Sequence, residues 1–175
     1  MIQADAEILS VRRDGAYYHM SFAAPGIADG FRPGHFVAIA VDDAHILRRA
    51  FSIRSASTKA GGALQIIVSP KGPGTKWLVA RRPGDVINVI APLGQPFRLP
   101  TEPVPCVLVG GGYGVAPLFE LANQLRARGC TVEIIVGAGD AERLHGVVEA
   151  RRVSDAVHVT TDDGSAGEQG RVTDP

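Results

Sequence analysis

The chain has 175 residues, 45% of them hydrophobic and 21% charged, the balance of an ordinary globular protein. Eighteen Lys and Arg offset eighteen Asp and Glu, so charge gives no argument for a nucleic-acid or acidic-membrane partner. No apolar run approaches the roughly 20 residues of a membrane span. The N-terminus, MIQADAEILS, lacks the basic start and apolar core of a secretion signal. Two cysteines, Cys106 and Cys130, argue against a disulfide framework and cannot hold an iron–sulfur cluster unaided. Each sits beside an apolar run, so buried thiols and a reduced, cytoplasmic location are expected.

Residues 1–100 read as short strands. Ala6–Val11, Tyr17–Phe22, Phe36–Val41, Ala50–Ile53, Ala63–Val68 and Val86–Ile90 are rich in β-branched or aromatic residues. Turn residues divide them: Asp14-Gly15, Pro25-Gly26, Pro33-Gly34, Gly61-Gly62 and Pro83-Gly84-Asp85. Such spacing predicts a β-barrel or sandwich. A short helix from Thr75 interrupts it, with Trp77, Leu78 and Val79 as its apolar face. Three prolines in six residues, Pro100, Pro103 and Pro105, mark a linker.

The pattern then changes over residues 101–175. Cys106–Val109 is an apolar strand that runs into Gly110-Gly111-Gly112-Tyr113-Gly114. Leu118, Leu121, Ala122 and Leu125 have helical spacing within Val115–Arg128, and Gly129 is a stop signal. Thr131–Val136 is a second strand, Asp140–Arg151 a second helix and Ala156–Thr160 a third strand. Strand–helix–strand repetition predicts a parallel α/β sheet. About seventy residues follow the linker, fewer than a doubly wound nucleotide-binding domain has. The expectation is a barrel followed by an α/β domain that is incomplete at its C-terminus.

Five segments carry candidate chemistry. Gly110, Gly111, Gly112 and Gly114 lie between a strand and a helix, where glycines let the backbone approach a pyrophosphate. The same residues also read as a tight turn without a ligand. Asp140, after the next strand, accepts from a ribose hydroxyl or repels a 2′-phosphate, which favours NADH; it reads equally as a helix cap. Arg48 and Arg49 at a strand start can pair with phosphate, and Ser52 can hydrogen-bond a ring edge; taken alone, the segment reads rather as a solvated arginine pair beside an ordinary strand. Gly72-Pro73-Gly74-Thr75 is a second anion cradle at a helix start, or simply a helix capped by Thr75. Thr161-Asp162-Asp163-Gly164-Ser165 places two carboxylates at a strand end, too few for a metal. His19, His35, His45, His145 and His158 form no pair with metal-ligand spacing, so no metal site is expected.

In this order the motifs resemble the ferredoxin–NAD(P) reductase superfamily over essentially the whole chain. The match runs through Pro33-Gly34-His35-Phe36-Val37, Leu47–Ile53, Lys71–Thr75, Pro83-Gly84-Asp85, Pro92-Leu93-Gly94, Gly110–Pro117 and Thr161–Ser165. The Arg48-Arg49 pair and Thr-Asp-Asp-Gly-Ser narrow the likeness to electron-transfer subunits of NAD-dependent dihydroorotate dehydrogenases, which serve pyrimidine biosynthesis. The resemblance implies FAD held by Arg49, Ala50, Phe51 and Ser52, with Ser52 near flavin N5, and no certain catalytic side chain. It implies that Ile66, Ile67 and Val68 offer backbone to the flavin and that Gly72, Gly74 and Thr75 clasp its pyrophosphate. Gly110–Gly114 would hold NAD(H), and a catalytic dehydrogenase subunit would be the partner in a hetero-oligomer. Phe51 replaces the tyrosine common in the superfamily, which keeps stacking and loses a hydroxyl. The subgroup's C-terminal cysteines, ligands of a [2Fe–2S] centre, have no counterpart after Cys130; a longer parent is expected to carry them. Rival readings are a stand-alone NAD(P)H–flavin or ferredoxin reductase, an electron-transfer subunit of a hydrogenase or transhydrogenase, and a module that has lost its cofactor.

Overall fold

The computed structural model describes residues 1–41 and 46–175. His45 therefore lies outside the described residues. The chain divides into two compact units, Met1–Pro96 and Phe97–Pro175, a division that falls ahead of the Pro100–Pro105 stretch.

The first unit is a closed barrel. Among the described residues its strands are Ile2–Asp14 (β1), Tyr17–Ala23 (β2), Phe36–Ile39 (β3), Arg49–Ser57 (β4), Ala63–Val68 (β5) and Val86–Leu93 (β6). They close in the order β1-β2-β5-β4-β3-β6, with every ladder antiparallel. Alternation explains the core: Ile8, Phe22, Ile39, Ile53, Leu64 and Ile66 each expose none of their surface. Closure gives every strand two neighbours. A helix, Pro73–Val79 (α1), adds the fully buried Leu78 to this core, with Trp77 and Val79 packed against it.

That helix starts two residues earlier than Thr75. Gly72 is its N-cap residue and Pro73 occupies the first helical position, where a missing N–H costs nothing and φ is already helical. Thr75 instead stands in the first turn. Its hydroxyl accepts from Gly72 N–H and donates to Gly72 C=O, each at 3.1 Å.

The second unit is a parallel sheet of Cys106–Gly111 (β7), Val132–Ala138 (β8), Ala156–Thr161 (β9) and Glu168–Gln169 (β10), in the order β10-β9-β8-β7. Ala116–Ala127 (α2) and Val147–Val153 (α3) connect the first three. Val115, Leu118, Leu121, Ala122 and Leu125 pack with Val132, Ile134, Val136 and Ala150 into a separate core. A single helix over Asp140–Arg151 does not form. A 3-10 turn covers Ala141–Arg143, and α3 begins only after Gly146. Gly146 is left-handed (φ 76°), and a Cβ there would lie 2.3 Å from the Phe119 ring. The chain must pass that ring without a side chain, which breaks the helix.

Candidate functional site

In the barrel, the β4–β5 ladder runs from Ser57/Ala63 to Ile53/Ile66 and ends there. Beyond that point β4 continues to Arg49 on β3, and β5 continues to Val68 on β2. The facing backbone edges of Arg49–Ser52 and Ile67–Val68 are thus outside any ladder. Backbone donors and acceptors need partners, and a flat ring with polar edges is a ligand that would fit them. The side chains of Ile66, Ile67 and Val68 are buried, so these residues have only backbone to offer.

Arg48 and Arg49 have separate tasks. Arg48 reaches across to β6, where it donates to Asn88 C=O at 3.1 Å and Asn88 Oδ1 at 2.5 Å. Arg49 turns to α1. Its Nη1 donates to Leu47 C=O at 2.7 Å, and its Nε lies 3.3 Å from where a Cβ on Gly74 would stand. The guanidinium therefore rests on the backbone of α1's first turn. The N–H groups of Gly74 and Thr75 there have no carbonyl one turn back to reach. A cation beside such donors is the donor set a pyrophosphate requires. Phe51 is half-buried against the core, while Ala50 and Ser52 are exposed. Residues and geometry here fit FAD.

In the second unit, the loops at the carboxyl ends of β7, β8 and β9 carry the expected motifs. Gly110 has a packing role: a Cβ would lie 2.7 Å from Val115 Cα and 3.0 Å from Leu118 Cδ1. Gly111 pairs with Gly137 of β8. Gly112 is left-handed (φ 52°) and opens a 3-10 turn, Gly112–Val115, that precedes α2. Nothing stands within 4 Å of a Cβ on Gly114. Asp140 caps the Ala141–Arg143 turn, accepting from Arg143 N–H at 2.9 Å and pairing with Arg143 Nη1 at 3.1 Å.

The Thr161–Ser165 loop is tied to the same place. Ser165 Oγ accepts from Ala141 N–H at 2.8 Å, and Asp162 N–H donates to Ala138 C=O at 3.0 Å. Asp163 accepts from the Ser165 hydroxyl and N–H, which holds its carboxyl below the usual range. The three loops suit the edge of a dinucleotide, at the end of the sheet where α/β folds bind ligands. Cys106 and Cys130 lie at the opposite, amino ends of their strands. Burial, and then the neighbouring Cys130 thiol, push the Cys106 thiol up. Two thiols do not fit an iron–sulfur cluster.

A closed barrel in which two strands diverge at one end, followed by a parallel sheet with glycine-rich carboxyl ends, is the arrangement of ferredoxin reductases. No family model matches the chain. It is 38% identical over 161 residues to the dihydroorotate dehydrogenase B (NAD(+)) electron transfer subunit of Geobacillus thermodenitrificans, covering 90% of this chain and 62% of that one. The namesake subunit of Desulforamulus reducens is 34% identical over 171 residues, covering 96% and 65%. A solved NADH-dependent reduced ferredoxin-NADP oxidoreductase superposes with a TM-score of 0.84 at 30% identity, covering 97% of this chain and 60% of that one. Over 84–97% of its length the chain is similar to members of the ferredoxin–NAD(P) reductase superfamily. Within it, its relatives include electron transfer subunits of dihydroorotate dehydrogenase B, of whose length it spans less than two thirds.

Proposed function

We propose that this chain is the cofactor-binding part of an electron-transfer flavoprotein subunit that moves electrons between NAD(H) and a partner dehydrogenase of the dihydroorotate type. The observation that carries this reading is the divergence of β4 and β5 beside the Arg49–Gly74 contact. Bound FAD supplies hydride acceptance from NADH and one-electron release to an acceptor. The chain's own residues bind and orient. Arg49 and the first turn of α1 neutralise and fix the pyrophosphate. Phe51 presents a ring for stacking, and Ser52 presents a hydroxyl to the reactive edge. Ile67 and Val68 offer main-chain groups to the polar edge. In the second unit Gly111, Gly112 and Gly114 admit a dinucleotide, and Asp140 meets a ribose hydroxyl, which selects NADH. In this reading the barrel is an FAD domain and the sheet an NAD domain, with a catalytic subunit receiving or supplying the electrons.

Anaerobic addition of NADH to the FAD-loaded protein tests the redox role. Bleaching of the flavin bands is expected, and larger with NADH than with NADPH. Unchanged bands in a protein that retains FAD would contradict it. A second reading has support in the oxidoreductase named above: a subunit of an NADH-dependent reduced ferredoxin-NADP oxidoreductase. Co-purification with a dihydroorotate-binding subunit separates the two.

A further inference from the structure

The chain enters β4 through Ile46 and Leu47, whose side chains are 96% and 73% exposed. Side-chain packing therefore does not hold this stretch. The ladder does not reach it either, because Ile39 opposite Arg49 is the last pair of β3 with β4. Yet Leu47 C=O is the acceptor for Arg49 Nη1 at 2.7 Å. The carbonyl that aims the cation of the pyrophosphate cradle thus stands just outside both the core and the sheet.

What fastens it is the Arg48 side chain. Its two terminal nitrogens donate to Asn88 C=O and Asn88 Oδ1 on β6, past the end of β3. The same Asn88 carbonyl accepts from Ala40 N–H at 2.9 Å, one residue beyond β3. The Asn88 amide is itself held by β1: Gln3 Nε2 donates to its Oδ1 at 3.0 Å, and its Nδ2 donates to Asp5 Oδ1 at 2.6 Å. Asp5 lies opposite Asn88 in the β1–β6 ladder, and Gln3 lies two residues back on the same face. Two fixed oxygens side by side suit the planar fork of an arginine. We propose that Arg48 is a positioning residue for the flavin site. By tying the start of β4 to β6 it sets the Leu47 carbonyl, and through it the Arg49 guanidinium, for a pyrophosphate. Both terminal nitrogens of Arg48 face Asn88, so Arg49 alone of the pair meets the phosphates. The inference rests on the FAD reading and divides its labour between adjacent arginines.

A double-mutant cycle in FAD affinity tests it. The wild-type chain, Arg48→Ala, Arg49→Ala and the double variant are titrated with FAD by flavin fluorescence, well below their melting temperatures. Arg48→Ala is expected to bind FAD about three- to tenfold more weakly, the scale of one lost hydrogen-bonded anchor. On the Arg49→Ala background the same substitution should cost nothing further, since the cation it aims is gone. A direct phosphate contact by Arg48, or a general loosening of the barrel, would lower affinity on that background as well, and such a loss would overturn the proposal. An Arg48→Ala chain that binds FAD as tightly as the wild type overturns only this proposal. A folded wild-type chain that takes up no FAD overturns the flavin reading beneath it. Should Arg48→Ala not fold, Arg48→Lys takes its place in the cycle with the same expectations, because it keeps the charge and loses the fork.

Discussion

Arg49 is the residue on which most depends, because its Nε lies against Gly74 at the start of α1. A Cβ at Gly74 would meet Val41 Cγ2 at 3.2 Å and Arg49 Nε at 3.3 Å. In Gly74→Ala the arginine must move. The expected outcome is a small stability loss, about 1 kcal/mol, with a larger loss of FAD affinity; equilibrium unfolding and a flavin fluorescence titration read the two separately. Equal FAD affinity in the variant would count against the cradle. Gly110 makes a contrasting case. Its missing side chain admits the backbone of Val115 at 2.7 Å, which does not bend away as a side-chain tip would. Gly110→Ala should destabilise the second unit by about 1–3 kcal/mol, measured by urea unfolding, whether or not a dinucleotide is present. The glycine pattern pointed to a ligand, and at Gly110 the nearer cause is strand–helix packing.

At the scale of elements, side-chain period exposed most of the fold to a reader of the sequence. All six barrel strands and the first two α/β repeats were legible because alternating or 3.6-residue apolar spacing is a local property. Boundaries were less so. β1 extends from Ile2 to Asp14, well past Ala6–Val11, because its ends pair with β6 and β2 rather than by its own propensity. β10 is two residues long and carries no period at all. Asp140–Arg151 looked helical because the break depends on Phe119, a residue far away in sequence. The end of the β4–β5 ladder belongs to register, which no local pattern displays.

His35 gives the element scale a pH test. Its Nδ1 accepts from Arg32 N–H at 3.1 Å and its carbonyl accepts from Ile53 N–H, so the ring braces the turn into β3 against β4. Burial first, and then the Arg32 charge, lower its pKa below the ordinary 6.5. A depressed value means that the unfolded chain takes up a proton more readily. The stabilisation is therefore complete above pH 6.5 and lost as pH falls through the lower folded value. Thermal melting of the wild-type chain should decline over that window, and His35→Gln should decline less. Parallel profiles would remove His35 from the account.

On the scale of the whole molecule, the chain forms two units with separate cores. The barrel places its candidate residues where strand pairing ends, and the sheet places its own at the strand carboxyl ends. Among the described residues no helix is long and apolar enough to cross a membrane. The order of motifs along the chain was readable in the sequence, and it pointed to a ferredoxin–NAD(P) reductase arrangement. The separate tasks of Arg48 and Arg49 were not, since adjacent arginines look alike until Asn88 and Gly74 are placed beside them.

FAD retention tests the central claim most directly. Purified chain is mixed with excess FAD, desalted, and its visible spectrum recorded beside that of Arg49→Ala. The account predicts flavin bands near one FAD per wild-type chain and a loss of at least tenfold in FAD affinity for Arg49→Ala, in line with removing a charge-assisted contact. A folded wild-type chain that emerges colourless, or an Arg49→Ala chain that retains FAD equally well, would contradict it.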